Sequence, residues 1–348
     1  LRWLTTPLVV ILVLGFILPV GMLISKSIYD PTLLNSLPQT INRIDQDRYQ
    51  ALAEDLSNEY SRPAIRYVNH YYVGSRSMFI KARKNIDTAT APYKEWFIEQ
   101  DPRWQDPKFW QVIYNHSNGF TLTNLKKSFT GVYWSVLANT LLLGALITFT
   151  TLIIAYPTAW YLTTIKNKTL FTFSLFCILL PFFSSYLSRL VAWLVLLQSN
   201  GIINNMTEEI VGLNLDLIYN TTGIFIGSVY ILLPLSILPL YAVMKDVSPY
   251  PVYAAKTCGA SRITTFIKVY LPQTMPGIYN AALLTFMTVI GFYTTPALLG
   301  GNKGKFVTEQ IVYHMETSLN WGLASALTAS LSAIVLILFA VYARLNRA

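Results

Sequence analysis

The sequence predicts an all-α polytopic membrane protein with six transmembrane helices and an extracytoplasmic domain inserted between the first two. Three observations carry that expectation. The 348 residues are 53% hydrophobic and only 12% charged, with a mean hydropathy of +0.43, whereas soluble domains carry about 25% charged residues. The charge is segregated: 11 of the 17 acids lie between Lys26 and Lys127, and the other six (Glu208, Glu209, Asp216, Asp246, Glu309 and Glu316) fall outside the apolar runs. The remainder is built from uncharged stretches long enough to cross a hydrocarbon core of about 30 Å at 1.5 Å per residue.

Leu4 to Ile24 is an uncharged run of 21 residues. Arg2 before it allows a signal-peptide reading, but the run exceeds an h-region of about 7–15 residues and no A-x-A site follows. It is taken as a retained first helix, within residues 1–25. Residues 26–131 are polar, aromatic-rich and mixed in charge. Tyr49, Leu52, Leu56 and Tyr60 fall at helical spacing, as do Phe109, Trp110, Ile113 and Tyr114. Asp-Pro at 30–31 and 101–102 and Arg-Pro at 62–63 punctuate the stretch. So many aromatics can bury a small core, which predicts a folded domain.

Residues 132–348 form a five-helix core. Trp134–Tyr156 is the second span, with aromatic anchors at its ends. Leu170–Leu187 is the third and contains Pro181, tolerated where neighbours re-satisfy the freed backbone. Arg189 follows inside a run that stays apolar to Leu197. The fourth, fifth and sixth lie within Leu217–Met244, Gln273–Pro296 and Thr317–Ala343.

Short loops set the orientation. Lys166 and Lys168 follow the second span, and Lys245, Lys256, Arg262 and Lys268 outnumber Asp246 after the fourth; Arg344 and Arg347 close the chain. On the opposite side Glu208, Glu209 and Asp216 face Arg189, and Glu309 and Glu316 face Lys303 and Lys305. The positive-inside bias then puts both termini in the cytoplasm and residues 26–131 outside. The same bias accounts for the net charge of +9; without a basic cluster interleaved with stacking aromatics, no nucleic acid is expected. Cys177 and Cys258 imply no disulfide, and His70, His116 and His314 are too scattered for a metal site. No cofactor and no catalytic residue is expected.

The stretch Pro249–Ile278 is the longest polar-edged connection in the apolar part, and its expected coupling segment covers residues 246–272. Ser248 can cap a short helix that has Pro249 in its first turn. Ala255 and Gly259 stand four apart, so another backbone could approach there, and Gly259-Ala260-Ser261 can end this helix and cap the next. Tyr253, Ala254, Ala255, Gly259, Val269, Leu271 and Pro272 fall at offsets that resemble the EAA signature, E-A-A-x3-G-x9-I-x-L-P. That signature marks the permease subunits of binding-protein-dependent ABC importers. Tyr253 departs from it, standing where the family has Glu; an aromatic there can pack on a hydrophobic groove wall in place of the polar contact that Glu makes. Trp134-x4-Asn139-Thr140-Leu141, Leu180-Pro181-Phe182, Gly291–Gly301 and Leu319-Asn320-Trp321-Gly322 extend the resemblance towards the spermidine/putrescine branch.

The resemblance implies a type I importer fold in a bacterial cytoplasmic membrane. It also implies an ATP-binding cassette dimer, a second permease (identical or homologous), an extracytoplasmic binding protein and surrounding lipid as partners. No Walker A pattern occurs in the sequence, so the ATPase is expected on a separate subunit. Arg189, Tyr186 and Trp193 are candidates for a gate or substrate path; the alternative for Arg189 is snorkelling to the interface or pairing with Glu208 or Glu209. An ion-coupled carrier would place acids or His within its spans as relays, and these spans hold none. A sensor or adhesin needs fewer spans. A polyamine such as spermidine or putrescine is the expected solute, with an amino-acid derivative or other small organic solute as the alternative.

Overall fold

A computed structural model of the chain describes residues 18–120, 122–212, 215–301 and 306–345. Most of the expected first span, with Lys303, Lys305 and Arg347 of the orientation count, lies outside the described residues; Leu18–Ser25 is helical. The fold is all-helical and divides into two compact units. One runs through Trp134 and takes in Gln310–Ser332, a stretch beyond the 26–131 limits expected for the inserted domain. The other comprises Ser135–Glu309 and the residues from Ala333.

The first unit packs the short helices Arg48–Ser57, Arg62–Tyr71, Ser75–Lys84, Tyr93–Gln100 and Pro107–Asn115 around an aromatic core. Trp104 lies at its centre, fully buried, with Phe97 and Phe109 each at 5.0 Å and Phe79 at 5.2 Å between ring centroids, all edge-on. Edge-to-face contact suits the ring quadrupoles and adds about 0.5–1.5 kcal/mol per pair beyond burial. Tyr49, Leu52 and Leu56 face this core, but Tyr60 is 77% exposed because the helix ends at Ser57 and a 3₁₀ turn re-aims the chain. Tyr114 likewise points out, while Phe109, Trp110 and Ile113 are buried.

Carboxylates organise the helix starts. Asp101 and Asp106 precede prolines and accept the amides of Arg103 and Lys108, satisfying donors that a helix start leaves free. Asp55 is buried and accepts Thr40 N–H and Thr40 Oγ1–H at 2.7 Å each, with Gln39 N–H at 3.2 Å. Burial pushes its carboxyl above the usual range, against the opposing pull of those donors.

Gln310–Ser332 joins this unit through polar contacts. His314 Nε2 meets Tyr133 Oη at 3.0 Å, and its Nδ1 meets Ser318 Oγ at 2.8 Å. Ser128 and Ser330 share a buried hydroxyl pair at 2.8 Å. Desolvation, then the charges of His70 and Lys127, lower His314 to about 4.

The second unit is built on long apolar helices. Gly131–Thr164, 34 residues, runs past the expected end at Tyr156 and through Pro157. Tyr156 is therefore not a terminal anchor; its hydroxyl pairs with Thr274 Oγ1 at 3.0 Å. The expected third span is two helices: Lys168–Phe183 stops after Pro181, and Tyr186–Leu197 begins beyond Ser184-Ser185. The helix runs through Pro181 and ends where Ser184 turns back to bond Pro181 O through both its amide and its hydroxyl. Thr221–Lys245 begins inside the fourth expected range and ends one residue past it, Leu271–Ile290 starts two residues before the fifth and ends inside it, and Trp321–Leu345 begins inside the sixth and runs two residues past it.

Among the described residues, four stretches are long and apolar enough to cross a membrane: Gly131–Thr164, Tyr186–Ile210, Thr221–Lys245 and Trp321–Arg344. The second is divided at Gln198–Gly201 into helices Tyr186–Leu197 and Ile202–Val211, so neither half spans on its own at 1.5 Å per residue. Lys168–Phe183 is apolar but shorter.

Small residues let the central helices approach. Gly277 backs onto Val243, whose Cβ would lie 3.0 Å from any Cβ added there. Ser236 Oγ and Thr285 Oγ1 pair at 2.6 Å, both buried. Such seams hold helices together where lipid removes the hydrophobic drive.

Candidate functional site

The signature residues fall on a chain of short helical pieces. Tyr250–Thr257 starts one residue later than the capping pattern predicts: Pro249 is the cap, its carbonyl accepts Tyr253 N–H at 3.1 Å, and Ser248 does not cap. The C-terminus is a Schellman motif. Ala260 N–H bonds Ala255 O and Gly259 N–H bonds Lys256 O, both at 3.0 Å, around Gly259 at φ +81. Only glycine takes that left-handed conformation without a Cβ penalty.

Gly259 therefore does not serve close packing within this chain, since a Cβ added there meets nothing within 4 Å. Ser261 then caps Arg262–Thr265, accepting Thr264 N–H at 3.2 Å. A π-helical turn, Phe266–Tyr270, leads into Leu271-Pro272 at the head of Leu271–Ile290.

The piece Tyr250–Thr257 buries no residue. Tyr250 is 78% and Tyr253 60% exposed; Ala254 is exposed and Ala255 half-buried. Beside it opens a cleft of about 670 Å³, reached by Tyr253 and Val252 from the helix, by Trp160 and Met244 from two long helices, and by Phe266 and Tyr270 from the π turn. Leu271 and Pro272 do not line it. These pieces join an exposed, capped, two-turn helix to a proline-started apolar helix through a single π-helical turn.

Arg189, Tyr186 and Trp193 share the helix Tyr186–Leu197, away from the signature pieces in sequence and in contacts. Tyr186 Oη pairs with Thr295 Oγ1 at 2.5 Å, and its ring lies 5.9 Å from Phe292. Trp193 meets Tyr230 edge-on at 5.3 Å. The Arg189 guanidinium carbon lies 6.0 Å from the Tyr186 ring, and its Nε is buried without a hydrogen-bond partner. Among the described residues it pairs with neither Glu208 nor Glu209.

Glu309 is a residue that sequence reasoning misplaced. It was counted as a loop charge, yet it is 5% exposed, the one buried acid described in the second unit. Its Oε2 accepts Phe306 N–H at 3.0 Å, three residues back, in the manner of a capping box. Thr140 Oγ1 accepts the next amide, Val307 N–H, at 3.0 Å. Oε1 is buried and unpaired. The T-E-Q spacing after Phe306 is the local signal that a helix starts there; its burial is set by distant residues.

The fold and these pieces define the membrane-embedded component of an importer. The chain belongs to the family described as binding-protein-dependent transport system inner membrane component, whose pattern matches residues 127–348. It is similar to the spermidine/putrescine transport system permease protein PotB of Escherichia coli (strain K12), 28% identical over 230 residues, 66% of this chain and 83% of that protein. PotB of Haemophilus influenzae is 33% identical over 229 residues, 65% and 80% of the two chains.

The crystal structure of a bacterial ABC transporter that imports the acidic polysaccharide alginate superposes with a TM-score of 0.57 at 14% identity, covering 78% of this chain and 98% of that one. That likeness shows the fold. The resemblance to spermidine/putrescine permeases drawn from the signature and its flanking motifs is borne out by the PotB relatives.

Proposed function

We propose that this chain is the permease subunit of an ATP-driven importer that passes a polyamine, spermidine or putrescine, delivered by an extracytoplasmic binding protein. The observation that carries the substrate is the 28–33% identity to PotB proteins over two thirds of the chain. The observation that supports coupling is the exposed helix Tyr250–Thr257 with its Schellman end and capped successor.

In this reading Tyr253, Ala254, Ala255 and Gly259 dock in a groove of an ATPase dimer, and Leu271-Pro272 carries its closure into the membrane. A second permease completes the conduit. The chain crosses the membrane six times with both termini cytoplasmic and the 26–131 region outside, where it enlarges the landing surface for the binding protein. Arg189, Tyr186 and Trp193 stand on the substrate path. Few carboxylates are available to an amine here, and Glu309 Oε1, buried and unpaired, is the candidate contact for one.

A deletion strain complemented with this chain and its partner subunits should regain uptake of labelled spermidine or putrescine. Recovery of neither sinks the polyamine assignment. One observation favours a second solute class: the unpaired Arg189 Nε suits a solute with an anionic group, such as an amino-acid derivative. Arg189→Ala then abolishes uptake of that solute, whereas a polyamine permease keeps its uptake or gains.

A further inference from the structure

The cleft beside Tyr250–Thr257 has a chemistry that docking to an ATPase does not use. Lys245, Lys256 and Arg262 line it and no carboxylate does; Asp246, next in sequence to Lys245, lies outside the lining. The three ion pairs among the described residues are Arg43–Glu54, Arg62–Glu59 and Arg103–Asp101, so none of these cations is neutralised by a neighbour. Thr265 also lines the cleft, 3% exposed, and its hydroxyl is buried without a partner. A buried hydroxyl left unpaired beside three free cations points to a missing acceptor.

The surroundings say which acceptor. Trp160 and Met244 bring the ends of two long apolar helices to the cleft, and Tyr270 stands at the start of a third. Aromatic rings and basic side chains at helix ends are the furniture of a membrane interface. A basic pocket between such helices, on the side where the positive-inside count puts it, matches the charge and depth of a lipid headgroup.

We propose that this cleft binds the phosphodiester headgroup of an anionic phospholipid, with Lys245, Lys256 and Arg262 supplying charge and Thr265 Oγ1 donating a hydrogen bond. The bound lipid fills the space between the short helix and the long ones and makes that junction dependent on membrane composition. The site stands on the proposed cytoplasmic orientation and not on the identity of the solute.

The test is retention of lipid by the whole transporter complex, purified from native membrane and exchanged against cardiolipin, phosphatidylglycerol or phosphatidylcholine, with native mass spectrometry as readout. Cardiolipin or phosphatidylglycerol should stay bound where phosphatidylcholine is lost. A basic residue near an anionic surface is worth about fivefold in binding, so Lys256→Gln with Arg262→Gln should weaken retention roughly thirtyfold, while Lys168→Gln changes nothing.

Should the double variant fail to assemble, Thr265→Val keeps the shape, and it should weaken retention several-fold in an assembled complex. Unchanged retention in Thr265→Val and the double variant, or equal retention of phosphatidylcholine, overturns the proposal. So does release of cardiolipin by millimolar inorganic phosphate, which would make the cleft a free-anion site. Loss of the ATPase subunit from the double variant with lipid retention intact would assign the cations to an acidic partner side chain instead.

Discussion

The two units solve the packing problem in opposite ways. The first buries its largest side chains, Trp104, Phe79, Phe97 and Phe109, and shows water a mixture of charges. The second turns Phe149, Phe173, Phe176 and Leu142 outward and buries Gly144, Thr148, Ala155, Gly277 and Ala281. In water, burying a large ring gains most, because burial free energy follows apolar area. Among lipid tails that gain vanishes and backbone proximity and hydroxyl pairs decide. The contrast tells which side chains matter in each unit: the large rings in one, and in the other small residues and hydroxyl pairs set between aliphatic side chains such as Ile147, Leu232 and Leu240.

The contrast breaks most sharply at Trp104. Trp104→Ala should cost the first unit about 3–5 kcal/mol, the range for aromatic deletions in a full core. Chemical unfolding followed by the fluorescence of the remaining tryptophans measures it; a loss below about 1 kcal/mol would mean that the ring cluster is not the core.

Next comes the reverse substitution in the second unit. Gly277→Leu forces a side chain against Val243 and should cost about 1–3 kcal/mol by overpacking, while Phe173→Ala, on an outward face, should stay within about 0.5 kcal/mol. Steric trapping in bicelles reads both, and equal losses would dissolve the distinction.

A pH series sharpens the comparison from the side of the first unit. His314 is lowered to about 4 from 6.5, so folding favours its neutral form and the unfolded chain binds more protons between those values. The stabilisation is therefore fully present above about pH 6.5 and is lost as pH falls towards 4, on the order of 2 kcal/mol. Thermal unfolding of wild type against His314→Gln should diverge over that window; parallel curves would refute the assignment.

A smaller loss than at Gly277 or His314 is expected at Gly259. Gly259→Ala should cost about 1 kcal/mol through its positive φ, and Gly259→Asn less, because Asn tolerates that region. If transport falls in both alike, contact with a partner sets the requirement; if Asn alone is active, backbone conformation does.

Much of this was legible in residue order. Uncharged runs located the helices that begin near Gly131, Thr221, Leu271 and Trp321, and the spacing Tyr49, Leu52, Leu56 found a true buried face. The offsets from Tyr253 to Pro272 identified the family. What escaped lay in local turns and backbone angles, and in one contact between residues far apart in sequence. Tyr60 obeys the helical period but follows a helix that stops at Ser57. The run from Leu170 to Leu197 looks continuous, and only the turn at Ser184-Ser185 divides it. Glu309 reads as a loop acid until Thr140, 167 positions before Val307, shares in closing the same helix start. Gly259 was expected to end its helix and does so, but at a left-handed φ that is invisible in sequence.

The π turn at Phe266–Tyr270 has a mechanical corollary. A π-helical turn holds one residue more than an α-helix needs for the same span. Closing it to α geometry would swivel everything upstream, from Tyr250 to Thr265, by about 100° relative to Leu271–Ile290, with an axial step of about 1.5 Å. Taking up that residue would trade rotation of the exposed pieces for length in the link between them and Leu271–Ile290.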